Sequence, residues 1–123
     1  KAAELAEEVQ ARNPAVDVQV GYPPGNVEII LNATSLGLKS GDPLPLDESQ
    51  FAVTRADGVF DMIYRPAETP LLRKAREAGC RTANGVGMLL YQGAAALELW
   101  TGRPAPLDLM RRALLQDVYG AQR

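Results

Sequence analysis

Strand-like and helix-like runs alternate along this chain, and that alternation limits the fold more than any other feature of the sequence. KAAELAEEVQARNP sets Ala2, Leu5, Ala6 and Val9 on one helical face and closes at Asn13 and Pro14, so a helix is already under way at Lys1. VDVQV (16–20) alternates as a short strand, and YPPGN is a turn. VEIIL (27–31) reads as a second strand with a polar stop at Asn32, and VFDMIY (59–64) as a third that ends in Tyr64. The segment between them, KSGDPLPLD, has no period and two prolines, so it reads as a loop. TPLLRKAREAG carries Thr69 as N-cap, Pro70 at the first helical position and Gly79 as the stop. CRTA reads as a short strand, GVGMLLYQGAAALELW as a long apolar helix starting near Gly85, TGRPAP as a break, and LDLMRRALLQ (107–116) as a last amphipathic helix.

Strands alternating with helices of about ten residues imply right-handed βαβ units and a mostly parallel sheet, whose ligands sit outside the carboxyl ends of the strands. Asn32 to Ser35, Met62 to Tyr64 and the helix start at Gly85 then fall on one sheet edge. The helix start adds backbone N–H groups that favour polar or negative ligand groups.

Composition removes several functions. The chain has no histidine and one cysteine, Cys80, which argues against Ser/His/Asp and Cys/His catalysis and against a zinc site. With 13 basic and 15 acidic residues the net charge is -2, so no footprint for nucleic acid or an anionic membrane is expected. No apolar run approaches the roughly 20 residues that span a bilayer. The lone cysteine and the lack of a signal peptide at the start point to a cytoplasmic setting.

Each candidate also has a plain structural reading. NATS after a strand can be a turn whose Asn and Thr cap backbone groups, and spacing alone favours that reading. Met62 suits a core as well as a ligand, and GVG lacks the spacing of a nucleotide-binding glycine loop. Gln92 is the only amide in the largely apolar run from Gly85 to Leu97, where it would bond either the backbone or a ligand.

NATSLGL, DMIYRPAETPLL and NGVGMLLYQGAAALELWTG, in this order and at these distances, resemble the C-terminal half of shikimate dehydrogenase, which reduces 3-dehydroshikimate with NADPH. The resemblance covers nearly the whole chain. It implies an α/β fold with a Rossmann-type parallel sheet flanked by helices, incomplete here because the first two strands are missing. It divides the chain into a partial dinucleotide-binding domain (1–106) and a C-terminal segment (107–123) that returns toward an N-terminal substrate domain. By the same resemblance Ala33, Thr34 and Ser35 pass beside the ribose and nicotinamide of NADP, and Met62 lies near the ring. The Gly85 carbonyl meets the carboxamide, Met88 touches the ring, and Tyr64 and Gln92 reach shikimate.

The departures matter as well. The glycine-rich turn and the Asn-Arg-Thr reader of the 2′-phosphate are absent, and Lys1 aligns with the basic residue at that reader's end. The family's catalytic lysine and aspartate belong to its N-terminal domain, so no catalytic residue is assigned in this chain. Lys39 and Asp42 match neither of them and are assigned to a solvated loop. The sequence is therefore expected to be part of a longer protein, acting as monomer or homodimer. Two alternatives stand beside the NADP enzyme: a quinate/shikimate dehydrogenase using NAD, and a truncated remnant that binds a partner without turnover.

Overall fold

The computed structural model describes residues 1–120. Three parallel strands form one sheet in the order β1-β2-β3: β1 (Val27–Asn32), β2 (Ala56–Asp61) and β3 (Arg81–Asn84). Helix α1 (Ala2–Arg12) precedes the sheet, α2 (Pro70–Glu77) joins β2 to β3, and α3 (Val86–Thr101) and α4 (Leu107–Tyr119) follow. The arrangement is the expected α/β one, a partial Rossmann-type sheet with flanking helices.

Helix α2 forms where local chemistry asks for it. The Thr69 hydroxyl accepts from the Leu72 N–H at 3.3 Å, Pro70 sits in the first turn, and Gly79 at φ 83° lets the chain leave in the left-handed region. Its apolar stripe, Leu71, Leu72 and Ala75, is buried against Val53 and Val59, with Ile30, Leu44, Leu46 and Cys80 around them. Burying a leucine fully is worth about 1.5–3 kcal/mol, so this face secures the β2–α2–β3 unit. The opposite face of the sheet is uncovered among the described residues. Ile29 and Leu31 stand more than half exposed there, beside Gly58, Phe60 and Ala83.

Three local expectations are corrected. Residues 16–20 form no strand: Val16 and Val20 are exposed, and without a neighbouring ladder an alternating run has nothing to pair its backbone with. The third strand runs over 56–61, not 59–64, because Asp61 takes the Ile63 N–H on its own Oδ1 at 3.1 Å and turns the chain out of the sheet. The last helix continues past Gln116 to Tyr119, where Val118 is buried and holds the extra turn in place. The expected segment 107–123 includes residues 121–123, which lie outside the described residues. Among the described residues no helix is long and apolar enough to cross a membrane.

Candidate functional site at the strand ends

The parallel register aligns Asn32 with Asp61 and Asp61 with Asn84, so the last residues of the three strands form one row. All three are Asn or Asp, and each turns its side chain onto the amide two residues ahead. Asn32 Oδ1 accepts from the Thr34 N–H at 3.0 Å, Asp61 Oδ1 from the Ile63 N–H at 3.1 Å, and Asn84 Oδ1 from the Val86 N–H at 3.1 Å. This competition with the ladder ends each strand at the same height, and the three following segments leave together on one edge.

The middle of the row is buried. Asp61 and Thr69 are 0% exposed and Asn32 3%. Asp61 Oδ1 also accepts from Asn32 Nδ2 at 3.0 Å, and Asp61 Oδ2 accepts from the Thr69 hydroxyl at 2.7 Å. Asn32 Nδ2 reaches the Leu36 carbonyl at 3.2 Å, and its Oδ1 accepts from the Thr34 hydroxyl at 2.8 Å. One carboxylate with three donors thus ties β1, β2 and the N-terminus of α2 together, and satisfied polar groups of this kind rigidify a buried position. Sequence reasoning passed over Asp61 and Thr69 as partners. The available signal was an Asn or Asp at the last position of each of the three strands.

Above this row lies a cleft of about 440 Å³ lined by Ala33, Thr34, Leu38, Met62, Ile63, Tyr64 and Arg65. Four of the expected site residues, Ala33, Thr34, Met62 and Tyr64, therefore share one cavity. Met62 and Tyr64 are 36% and 37% exposed, each accessible yet held by its backbone. Met62 N–H donates to the Asn32 carbonyl at 3.0 Å. Ser35 belongs to the same turn but does not line the cleft. Leu38, Ile63 and Arg65 are lining residues that the sequence did not single out.

Gly85 sits directly behind this floor. A Cβ there would stand 1.9 Å from the Met62 carbonyl oxygen, so only glycine permits the approach. Its N–H donates to the Ile63 carbonyl at 3.1 Å, and its carbonyl accepts from the Leu89 N–H at 3.0 Å, leaving one lone pair of that carbonyl for another donor. The helix start expected to offer open N–H groups has two of them, on Gly85 and Val86, already satisfied. Met88 and Gln92 lie on α3 outside the cleft lining. Gln92 is exposed, not embedded in an apolar core, and its amide donates to the Leu89 carbonyl at 3.0 Å while Oε1 is open to water.

The loop assigned to Lys39 and Asp42 is held together by Asp42, whose Oδ2 accepts from the Gly37 and Lys39 N–H groups at 3.0 and 2.9 Å. Those backbone donors, Lys39 first, lower its carboxyl pKa below the ordinary 3.8. Neither side chain lines the cleft.

Residues 85–115 match the family model described as Shikimate 5'-dehydrogenase C-terminal domain. The NADP(+) shikimate dehydrogenase of Methanocella arvoryzae is 46% identical over 87 residues, 71% of this chain and 32% of that protein. A crystal structure of a shikimate dehydrogenase in complex with NADP+ superposes at a TM-score of 0.63, with 36% identity over 74% of this chain and 32% of that one. The Listeria monocytogenes shikimate 5-dehydrogenase in complex with shikimate and NAD gives 0.61, with 39% identity over 71% of this chain and 30% of that one. The chain spans about a third of the length of the relatives it matches.

Proposed function

We propose that this chain, a homologue of the C-terminal part of the shikimate dehydrogenases, forms the nicotinamide-facing part of an NADP-dependent enzyme that interconverts 3-dehydroshikimate and shikimate. One observation carries the reading: Ala33, Thr34, Met62 and Tyr64, drawn from two of the motifs that resemble the family, line a single cleft at the carboxyl ends of parallel strands. Ligands of such sheets bind at that edge.

The residues present suit the nicotinamide end of the cofactor. Ala33 and Met62 offer small and apolar surface for a flat ring, and Gly85 keeps one carbonyl lone pair for an amide donor. Met88 on α3 adds apolar surface near the helix start. The sequence contains no glycine fingerprint for the pyrophosphate, so that contact belongs to other parts of the enzyme. When bound, the nicotinamide supplies hydride chemistry at its C4, and the protein supplies orientation.

What this chain contributes is positioning. The Asn32–Asp61–Thr69 network holds the cleft floor, Met62 screens it from water, and the Tyr64 hydroxyl and Gln92 amide present donors and acceptors to the substrate's hydroxyl or carboxylate. Asp61 has a structural role here: it is fully buried and its oxygens accept from three donors. The proton that accompanies the hydride is handled by residues outside this chain. Residues 1–106 act as the partial cofactor domain, and α4 leads back toward the substrate domain. The reading places the enzyme in the cytoplasm as a monomer or homodimer.

The test is turnover by the intact protein that carries this chain, followed by nicotinamide absorbance with 3-dehydroshikimate and NADPH. Absence of turnover by a folded, NADP-binding protein would refute the assignment. The Listeria monocytogenes relative in complex with shikimate and NAD supports a second reading, an NAD-using quinate/shikimate dehydrogenase. Parallel assays with NAD and NADP, on shikimate and quinate, separate the two. The fragment 1–123 by itself is expected to show no turnover.

A further inference from the structure

The extra turn of α4 ends in a side chain that neither the sequence motifs nor the cleft lining accounts for. The Tyr119 hydroxyl donates to the Tyr64 carbonyl at 2.9 Å and accepts from Asn84 Nδ2, also at 2.9 Å. Tyr64 belongs to the cleft, and Asn84 ends β3 immediately before Gly85. One hydroxyl therefore bridges the segment after β2 and the end of β3, from a helix that is 55 residues away from Tyr64 in sequence. A second tether runs beside it: Arg65 Nη2 donates to the carbonyls of Asp117 and Val118 at 3.0 and 3.2 Å, capping the end of α4 with a positive charge. Val118 is buried, so this end of the helix is anchored by packing as well as by hydrogen bonds.

We infer that Tyr119 is a positioning residue for substrate binding: its hydroxyl fixes the backbone carrying Tyr64 and makes that fixing depend on where α4 sits. The inference rests on the reading of Tyr64 as a substrate contact. It is asymmetric between the two ligands. If the hydroxyl is lost, Asn84 keeps the Ala67 carbonyl at 2.8 Å and the Val86 N–H at 3.1 Å, so the Gly85 side stays held. The Tyr64 carbonyl loses the bond to Tyr119. The cofactor side should hardly respond, and the substrate side should.

The experiment is Tyr119→Phe in the intact enzyme, which keeps the ring and removes only the hydroxyl. Net loss of one such bond corresponds to roughly 2- to 12-fold, so KM for shikimate should rise by about that factor while KM for NADP stays within about twofold. Tyr64→Ala is made beside it, together with the double variant. If Tyr119 acts through Tyr64, adding Tyr119→Phe to Tyr64→Ala changes shikimate KM no further. A lower melting temperature with both KM values unchanged in Tyr119→Phe, while Tyr64→Ala alone impairs shikimate binding, overturns the positioning role and leaves the substrate reading intact. Full additivity in the double variant also overturns it. Unchanged shikimate kinetics in Tyr64→Ala overturns both.

Discussion

Replacing Asp61 by alanine removes the acceptor on which three donors converge, and the structure says which of them are left stranded. Asn32 Nδ2 retains the Leu36 carbonyl at 3.2 Å. The Ile63 N–H and the Thr69 hydroxyl lose the acceptor they use, and both residues are buried. An unsatisfied buried donor costs about 1–3 kcal/mol, so two cost about 2–6 kcal/mol. At roughly 2–4 °C per kcal/mol for domains of about 150–250 residues, the melting temperature of the intact protein should fall by at least about 4 °C. Asp61→Asn keeps one acceptor oxygen for the Ile63 N–H and should cost less, since its amide can donate to Thr69 Oγ1 once that hydroxyl turns. Calorimetric melts of both variants, with Thr69→Val to complete a double-mutant cycle against Asp61→Ala, measure the coupling directly. An alanine variant within about 0.5 kcal/mol of the parent would show that the network is not what holds the strand ends. An asparagine variant as unstable as the alanine one would refute the acceptor argument.

Gly85→Ala places a Cβ 1.9 Å from the Met62 carbonyl, a backbone atom that cannot swing aside, so it should cost about 1–3 kcal/mol and raise KM for both NADP and shikimate. A stable variant with unchanged KM values would mean that the floor can yield without cost. Gln92→Ala, at an exposed helical position, should leave the melting temperature nearly unchanged while lowering kcat/KM for shikimate by roughly 5- to 150-fold, the equivalent of about 1–3 kcal/mol. Unchanged shikimate kinetics would retire the substrate role. Asp42 has a folded-state pKa depressed below 3.8 by the Lys39 and Gly37 N–H groups. A depressed carboxyl contributes stability that is present above its unfolded pKa and lost as pH falls through the folded one. Amide exchange at Gly37 and Lys39 should therefore remain protected at pH 5 and rise only below about 3.8. Loss of protection well above that value would refute the Asp42 anchor.

Residue order alone carried the parallel α/β plan, the N-cap at Thr69, the stop at Gly79 and the sheet edge on which Ala33–Ser35, Met62–Tyr64 and Gly85 meet. These were legible because they depend on neighbours a few residues apart: a cap reaches three residues ahead, and a period repeats within one element. The same local rules misled at VDVQV, since alternation specifies a strand only if another strand lies beside it to share the ladder. They also ran the third strand too far, because Met62, Ile63 and Tyr64 are good strand formers and the Asp61 side chain that captures the Ile63 amide acts against their propensity. Gln92 stood out as an amide among apolar residues, yet whether such a position is buried depends on which face of α3 another element covers.

Other features exist only in three dimensions. Asn32, Asp61 and Thr69 are separated by 29 and 8 residues, and nothing in their spacing says that one carboxylate serves both partners. Gly85 reads as a helix start in sequence, and its necessity comes from a carbonyl that the sheet register brings against it. Tyr119 meets Tyr64 across 55 residues because α4 folds back and buries Val118. Sequence determined most of the elements through short-range hydrogen bonding and periodicity. Only tertiary packing decided the partners, because a buried polar group is satisfied by whatever the fold brings within about 3 Å, and that proximity is a property of the whole chain.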